Sequence, residues 1–474
     1  MWYLNKDILF MIFEELNNDN KKFLHSCLLV NRTWCVTAIP ILWRNPVHTL
    51  TIYSIEKLFN VILLHLSEEL KNTLKKQGIN NQLIEKYQGP LFNYINFWKY
   101  LNLNLFEEVI LLKYDKNSNL RIIKNEMLRL FINGNNKFNK LSISYNIDYQ
   151  IHLIPGAEYC FSELESFQCC ADIDQNILKG MFSICKSIKE ITFENIYSGI
   201  DGSGIIKLIE VQKNLKNISF IAINDRLNNT YINDENFCKS LEKSLIKHTD
   251  TVKFLRISWM PVTRILSCLV NLISLDIDYS LSNMIYWSKF ENGMLPYLKI
   301  LKVNRVPSNF LENLIKNTTR NISEIRIRFN GNDSKRFFQI IYQNCPNLRY
   351  LTLSLIDNFN SFIPELENLL INCQLLNGLT IDVKNIFSVV YWDKLFIILA
   401  KSSPINLFDF KFYSEHMFKS KDLELFFNNW ENRKPIFLEM KIWIGDKKEK
   451  IEGLLKKYKE KGIIKKYLVE RTII

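Results

Sequence analysis

Glycine is scarce in this chain, with 14 in 474 residues, and histidine is scarcer still, with six. Little glycine leaves little material for the tight loops that let backbone approach a phosphate. The sequence holds no His-Glu-x-x-His pair, no Gly-x-Ser-x-Gly elbow and no Gly-rich phosphate loop. The stretch from Gly199 to Gly204 is a loop signal, but no lysine stands where such a phosphate site needs one. The histidines, at positions 25, 48, 65, 152, 248 and 416, are dispersed and read as structural. No catalytic constellation emerges, so the expectation is a non-enzyme without cofactor or metal. Paired cysteines are missing too: ten thiols are scattered with no Cys-x-x-Cys spacing, which argues for reduced, buried side chains over zinc. No apolar run approaches the roughly 18 residues that span a bilayer. The first residues lack a basic start, and Glu14 and Glu15 follow soon after, which argues against a secretory signal. A soluble protein of the cytoplasm or nucleus, with no membrane partner, is expected.

What is abundant is apolar. Hydrophobic residues make up 47% and aromatics 13%, which excludes a disordered chain. The length suits a few ordinary domains or one long repeat array. The net charge of +12 raises nucleic-acid binding as a reading. Part of that charge is local: from Asp446 to Lys466 nine lysines face four acidic residues, the composition of a solvated helix face.

At the start of the chain, Ile8, Leu9, Ile12, Phe13 and Leu16 recur at helical spacing and predict one apolar helix face. Asn5 or Asp7 can cap that helix, and the polar run Asn17 to Asn20 ends it. A second apolar group, Leu24, Leu28, Leu29, Val30 and Trp34, and a third, Ile39 to Trp43, complete a three-helix unit near the lower size limit for a core. So many large apolar residues in about 40 positions imply a face meant for another protein. The order Leu4, Asp7-Ile8-Leu9, Ile12-Phe13, Leu16, Leu24, Val30, Arg32, Trp34 and Leu42-Trp43-Arg44 resembles an F-box. Asn5 stands where that family usually has proline, and Asn31 where it often has cysteine. The resemblance implies docking on a Skp-type adaptor and, through it, a cullin of a ubiquitin ligase. The adaptor contacts it implies are Leu4, Ile8, Leu9, Ile12, Phe13, Leu16, Val30 and Trp34.

Residues 47–137 read as a helical connector following the F-box-like unit at 1–46. Ile55 to Leu74 carries an apolar stripe of helical period, and further helices are expected near Leu105 to Lys113 and Leu120 to Ile132. Asn133-Gly134-Asn135-Asn136 breaks the last.

From 138 to 474 the chain repeats the pattern apolar-x-x-apolar-x-apolar. It begins with Phe138/Leu141/Ile143 and recurs thirteen times, through Leu348/Leu351/Leu353 and Phe437/Met440/Ile442 to Ile464/Tyr467/Val469. The mean step is about 27 residues, within the period of leucine-rich repeats. Segments of helical period lie between, so each unit is a strand plus a helix that must stack on neighbours. Cys185, Cys345 and Cys373 stand three residues before strands, and Asn344 to Leu348 resembles the junction of cysteine-containing leucine-rich repeats. The repeat asparagine eight residues after the strand start survives at Asn146 and Asn330 but is mostly lost, and an inserted loop is expected at 224–234. The fold class expected is therefore α/β: an F-box-like helical unit, a helical connector and a leucine-rich repeat solenoid. The resemblance puts parallel strands on its concave face and helices outside.

Strand alternation places the residues two, four and six after each strand start away from the core. These positions hold eight basic and nine acidic residues, a balance that argues against phosphate-tracking nucleic-acid binding. Candidates for target contact are Phe254, Arg256, Arg326, Arg328, Tyr350, Tyr413 and Trp443, residue types that commonly anchor protein interfaces. Arg326 and Arg328 could also grip a phosphopeptide. The whole reading is a substrate-recognition subunit of a Skp–cullin–F-box type ubiquitin ligase, acting in ubiquitin-dependent degradation of an unknown target protein. The alternative is a leucine-rich repeat scaffold that never meets the ligase.

Overall fold

Strands form where the repeat pattern places them, and most are held to the next by one recurring device. The backbone carbonyl of the residue before a strand accepts two successive N–H groups from the start of the following strand. Lys99 receives Asn139 and Lys140, Ser323 receives Arg349 and Tyr350, and Arg349 receives Asn377 and Gly378, all within 2.7 to 3.1 Å. The computed structural model describes residues 4–19, 21–46, 52–76, 89–105, 107–108, 120–143, 147, 149–222, 234–278, 294–304, 306–329, 334–355, 363–383, 392–414, 419–430, 432–442 and 448–471. Asn146, Asn330 and all but the last residue of the expected 224–234 loop lie outside them, as does most of the expected 105–113 helix.

The chain forms two compact units, Met1–Leu215 and Lys216–Ile474. The first opens with α1 (Lys6–Asp19), α2 (Lys21–Cys27) and α3 (Arg32–Leu42). Both departures from the family pattern act as caps: Asn5 accepts the amide of Asp7, and Asn31 accepts that of Trp34. Leu9, Phe13, Leu24, Cys27, Ala38 and Ile41 make the core of this trio. The stripe from Ile55 to Leu74 is two helices, α4 (Ile52–Leu63) and α5 (Glu68–Lys76), because Ser67 caps a new start by accepting Leu70 N–H.

The connector expected at 47–137 is not wholly helical. Residues Tyr100–Asn102 form β1, which pairs in parallel with β2 (Lys140–Ile143). Trp98, Leu101 and Leu103 carry the repeat pattern and are buried, but they precede Phe138 by forty residues instead of the usual step. Parallel pairing continues through β3 (Ser166–Cys170) to β4 (Glu190–Ile196). The helical trio is joined to β1 by the same device that joins strands. The Arg44 carbonyl accepts Lys99 N–H at 2.9 Å and Tyr100 N–H at 3.4 Å, and its guanidinium clasps Glu14 of α1 at 2.5 and 3.0 Å. Gly156 lies near Gly134 in a left-handed conformation, where a Cβ would come within 2.3 Å of the Gly134 nitrogen.

In the second unit ten parallel strands follow one another in chain order. They are β5 (Asn217–Ala222), β6 (Phe254–Ile257), β7 (Ser274–Asp278), β8 (Ile300–Asn304), β9 (Glu324–Phe329), β10 (Tyr350–Leu355), β11 (Gly378–Val383), β12 (Asp409–Ser414), β13 (Ile436–Ile442) and β14 (Ile464–Arg471). Helices lie between them and pack on the inward side. Phe396 and Phe426 of two such helices meet Phe412 and Phe410 of β12 at 5.5 and 5.6 Å. Each such buried ring contributes about 2 to 3 kcal/mol. The helix-to-strand junction is built as the cysteine spacing implies. Cys345 and Cys373 donate their N–H to the preceding helix and accept the N–H of Leu348 and Leu376. Burial pushes both thiols up to about 12. One repeat is shifted from expectation: Phe410 pairs with Leu438 and Phe412 with Met440, so buried Leu438 and Met440 take the two places expected for Met440 and Ile442. Phe437 instead faces outward beside Phe408 at 5.7 Å. The strand's alternation is unchanged by this two-residue shift, so Glu439 and Lys441 keep their outward places. These strand–helix units are those of a leucine-rich repeat fold.

Two stability outcomes follow from these contacts. Glu242 is wholly buried and accepts from Trp259 Nε1, Val262 N and Thr263 N at 2.7 to 2.9 Å, and from the Thr263 hydroxyl. Glu242→Ala should lower unfolding free energy by about 3 kcal/mol in chemical denaturation, because four donors lose their acceptor. His65 donates to the Val61 carbonyl and accepts Tyr94 N–H on Nε2, and Tyr94 stacks on Trp43 at 4.3 Å. Burial holds the imidazole below its ordinary range, so the unfolded chain takes up this proton first. That contribution is complete above about pH 6.5 and shrinks as pH falls below it. The melting temperature should therefore drop more between pH 7.5 and 5.5 in the native chain than in His65→Gln.

Candidate functional site

Two surfaces stand out. The first is the outward face of the sheet in the second unit, where parallel register lines side chains into rows. One row runs Phe254, Ser274, Ile300, Glu324, Tyr350, Gly378, Asp409, Phe437. The next runs Arg256, Asp276, Lys302, Arg326, Thr352, Thr380, Lys411, Glu439. A third, two residues further on, includes Asp278, Asn304, Arg328, Ser354, Asp382, Tyr413 and Lys441.

Phe254 and Tyr350 are exposed in these rows, whereas Arg256, Arg328 and Tyr413 are half-buried. Arg256 is bracketed by Asp278 at 3.0 Å and Asp276 at 3.6 Å, and burial still lifts the Asp276 carboxyl above its usual range. Arg326 pairs with Glu324 at 2.8 Å. Glu439 accepts from Tyr413 at 2.6 Å and meets Lys411 at 2.9 Å, which holds its own carboxyl low and raises the lysine. Burial and that same carboxylate push the Tyr413 phenol up. Trp443 lies outside the described residues.

Between Arg326 and Lys411 the sheet surface dips into a cavity of about 350 Å³. Its floor is small because Thr352, Gly378 and Thr380 stand there, and its rim includes Tyr350, Asp409 and Tyr413. Gly378, Thr380 and Asp409 were not among the candidate contacts. The signal was available: they occupy outward positions, and glycine inside a strand marks close approach of something else.

The second surface is on the helical trio, where the expected adaptor contacts divide. Leu9 and Phe13 are 2% and 0% exposed and belong to the trio's own core. They are corrected from contact residues to structural ones, because their faces of α1 are those that α2 and α3 cover. Leu16 and Trp34 are partly buried against the same cluster, with Trp34 edge-on to Phe13 at 5.3 Å. Leu4, Ile8, Ile12 and Val30 are exposed, by 42 to 55%. Phe10, Met11, Phe23 and Leu29 join them, so eight of the 22 exposed large apolar residues among the described residues fall between Leu4 and Val30.

No helix among the described residues is long and apolar enough to cross a membrane. No family model and no curated protein matches the sequence. Among solved structures, the chain is similar to the leucine-rich repeat-containing protein LegL7 of Legionella pneumophila. Identity is 15%, coverage is 59% of this chain and 91% of that one, and the TM-score is 0.39.

The cavity makes its own prediction for stability. A Cβ at Gly378 would lie 2.7 Å from Tyr350 Cδ1, the mobile end of an exposed side chain. Gly378→Ala should therefore swing the ring outward and cost no more than about 1 kcal/mol in thermal or chemical unfolding.

Proposed function

We propose that this chain is the substrate-recognition subunit of a Skp–cullin–F-box type ubiquitin ligase. The helical trio docks on a Skp-type adaptor, and the outward face of the repeat sheet holds a target protein. The ligase chemistry belongs to other subunits, and this chain raises the effective concentration of the target near them. The reading is carried by the apolar surface of the trio: Ile8 and Ile12 stand at four-residue spacing on α1, with exposed Met11 beside them and exposed Leu4 just before the helix. So dense an uncovered patch at one end of a chain is the mark of a protein contact. The fixed joint through Arg44 supports it, since a docking element must carry the first strand with it. Mixed charge with Phe254, Tyr350, Arg326 and Tyr413 on the sheet suits recognition of a protein.

The enclosure of Leu9 and Phe13 favours the second reading, an interaction scaffold whose helical trio only closes the repeat array. Co-purification of the full chain with a Skp-type adaptor separates the two. Ile8→Asp combined with Ile12→Asp removes two exposed side chains, so folding should be kept while adaptor recovery falls at least about tenfold. Wild-type chain that recovers no adaptor, or a double variant that recovers as much as wild type, leaves the scaffold reading.

A further inference from the structure

The cavity on the sheet of the second unit has an unbalanced charge. Arg326, Lys411, Glu324 and Asp409 line it, and a further carboxylate, Glu439, pairs with Lys411. Arg326 is neutralised by Glu324 at 2.8 Å and Lys411 by Glu439 at 2.9 Å. Asp409 remains, and among the described residues no side chain or amide donates a hydrogen bond to its carboxylate. Burial raises this carboxyl above its ordinary range, and the charge of Lys411 only partly offsets the effect. A half-buried carboxylate without a donor is costly, and a cation arriving beside it restores its preference for the charged form.

The geometry around Asp409 is also selective. Gly378 separates it from Tyr350 in the same row, and the tyrosine ring leans over the glycine. A Cβ placed on Gly378 would lie 2.7 and 3.1 Å from the tyrosine ring and 3.5 Å from Asp409 Oδ2. An aromatic ring and a carboxylate thus border the same cavity, with Thr352 and Thr380 beside them. Aromatic face plus carboxylate is the chemistry that receives a guanidinium, which stacks on the ring and presents parallel N–H groups to both oxygens. A phosphate or carboxylate guest would have to displace Glu324 or Glu439 from its cation and would then lie beside Asp409.

We propose that the cavity bordered by Tyr350, Gly378 and Asp409 is a pocket for an arginine side chain of a bound protein. The proposal rests on the reading of this sheet face as the target-binding surface and names the feature of the target that it selects. Backbone on either side of that arginine would lie along the sheet surface, near Arg326 and Lys411.

Ligand-observed NMR on the full chain tests it with N-acetyl-argininamide, N-acetyl-citrullinamide and N-acetyl-glutamate amide. The citrulline compound keeps the shape of the arginine probe and removes its charge. The arginine probe should bind at least about tenfold tighter than the citrulline probe, and Asp409→Asn should remove that advantage. Gly378→Val, which drives the Tyr350 ring from its place beside the cavity, should abolish arginine binding, whereas Glu165→Gln in the first unit should leave it unchanged. Equal binding of arginine and citrulline probes overturns the assignment. So does preference for the glutamate probe, retention of the arginine preference in Asp409→Asn, or no arginine binding at all. Adaptor co-purification does not involve this pocket, so failure of the one leaves the other standing.

Discussion

One carbonyl oxygen with two lone pairs sets the geometry on which each repeat depends. By accepting two successive amides, the residue before a strand fixes where the next strand begins, to the residue. Because side chains alternate along a strand, a slip of one position would turn every core residue outward. The shared carbonyl removes that freedom, and the rows on the outward face follow from it. Tyr350, Gly378 and Asp409 lie side by side only because each is the first residue of its strand. The cavity is therefore a product of register: one glycine in a column of larger residues leaves a gap at a defined place.

Most of this architecture was legible from spacing alone, since a strand that buries alternate residues beneath a helix must write the same short pattern each time. The exceptions have physical causes. The first strand escaped because a long segment separates Trp98 from Phe138, although the pattern itself is intact at Trp98, Leu101 and Leu103. The shift in β13 arose because Phe437 is large and apolar yet lies on the outward face, where it packs beside Phe408. A hydrophobic pattern alone cannot separate an inward aromatic from an outward one that has found a neighbour. In α1 the apolar residues occupy more of the circumference than one face. The sequence identified them as a group, but only packing against α2 and α3 divides Leu9 and Phe13, which hold the trio together, from Leu4, Ile8 and Ile12, which remain in contact with water.

The charges on the sheet show a similar division. Counting them along the sequence gives a near balance, which is correct and weighs against binding to a polyanion. Which charges are available is a matter of pairing. Arg256, Arg326 and Lys411 all have carboxylates within reach, so two of the three arginines that drew notice in the sequence are occupied within the chain. The less conspicuous Asp409 is left with its charge unanswered. Burial of Asp276 and Asp409 is set by neighbouring strands brought together from distant parts of the chain, and no local motif announces it.

The Arg44 carbonyl has a consequence for how the chain could be shortened. It takes the place that a preceding strand's carbonyl holds elsewhere, occupying the amides with which β1 begins. Cutting the protein just after this residue's neighbours would bare those amides and the adjoining greasy end wall. Stacked-repeat proteins stripped of such a lid tend to stick to one another. Whatever else the N-terminal helices touch, they are tied through Arg44 to the leading amides of β1.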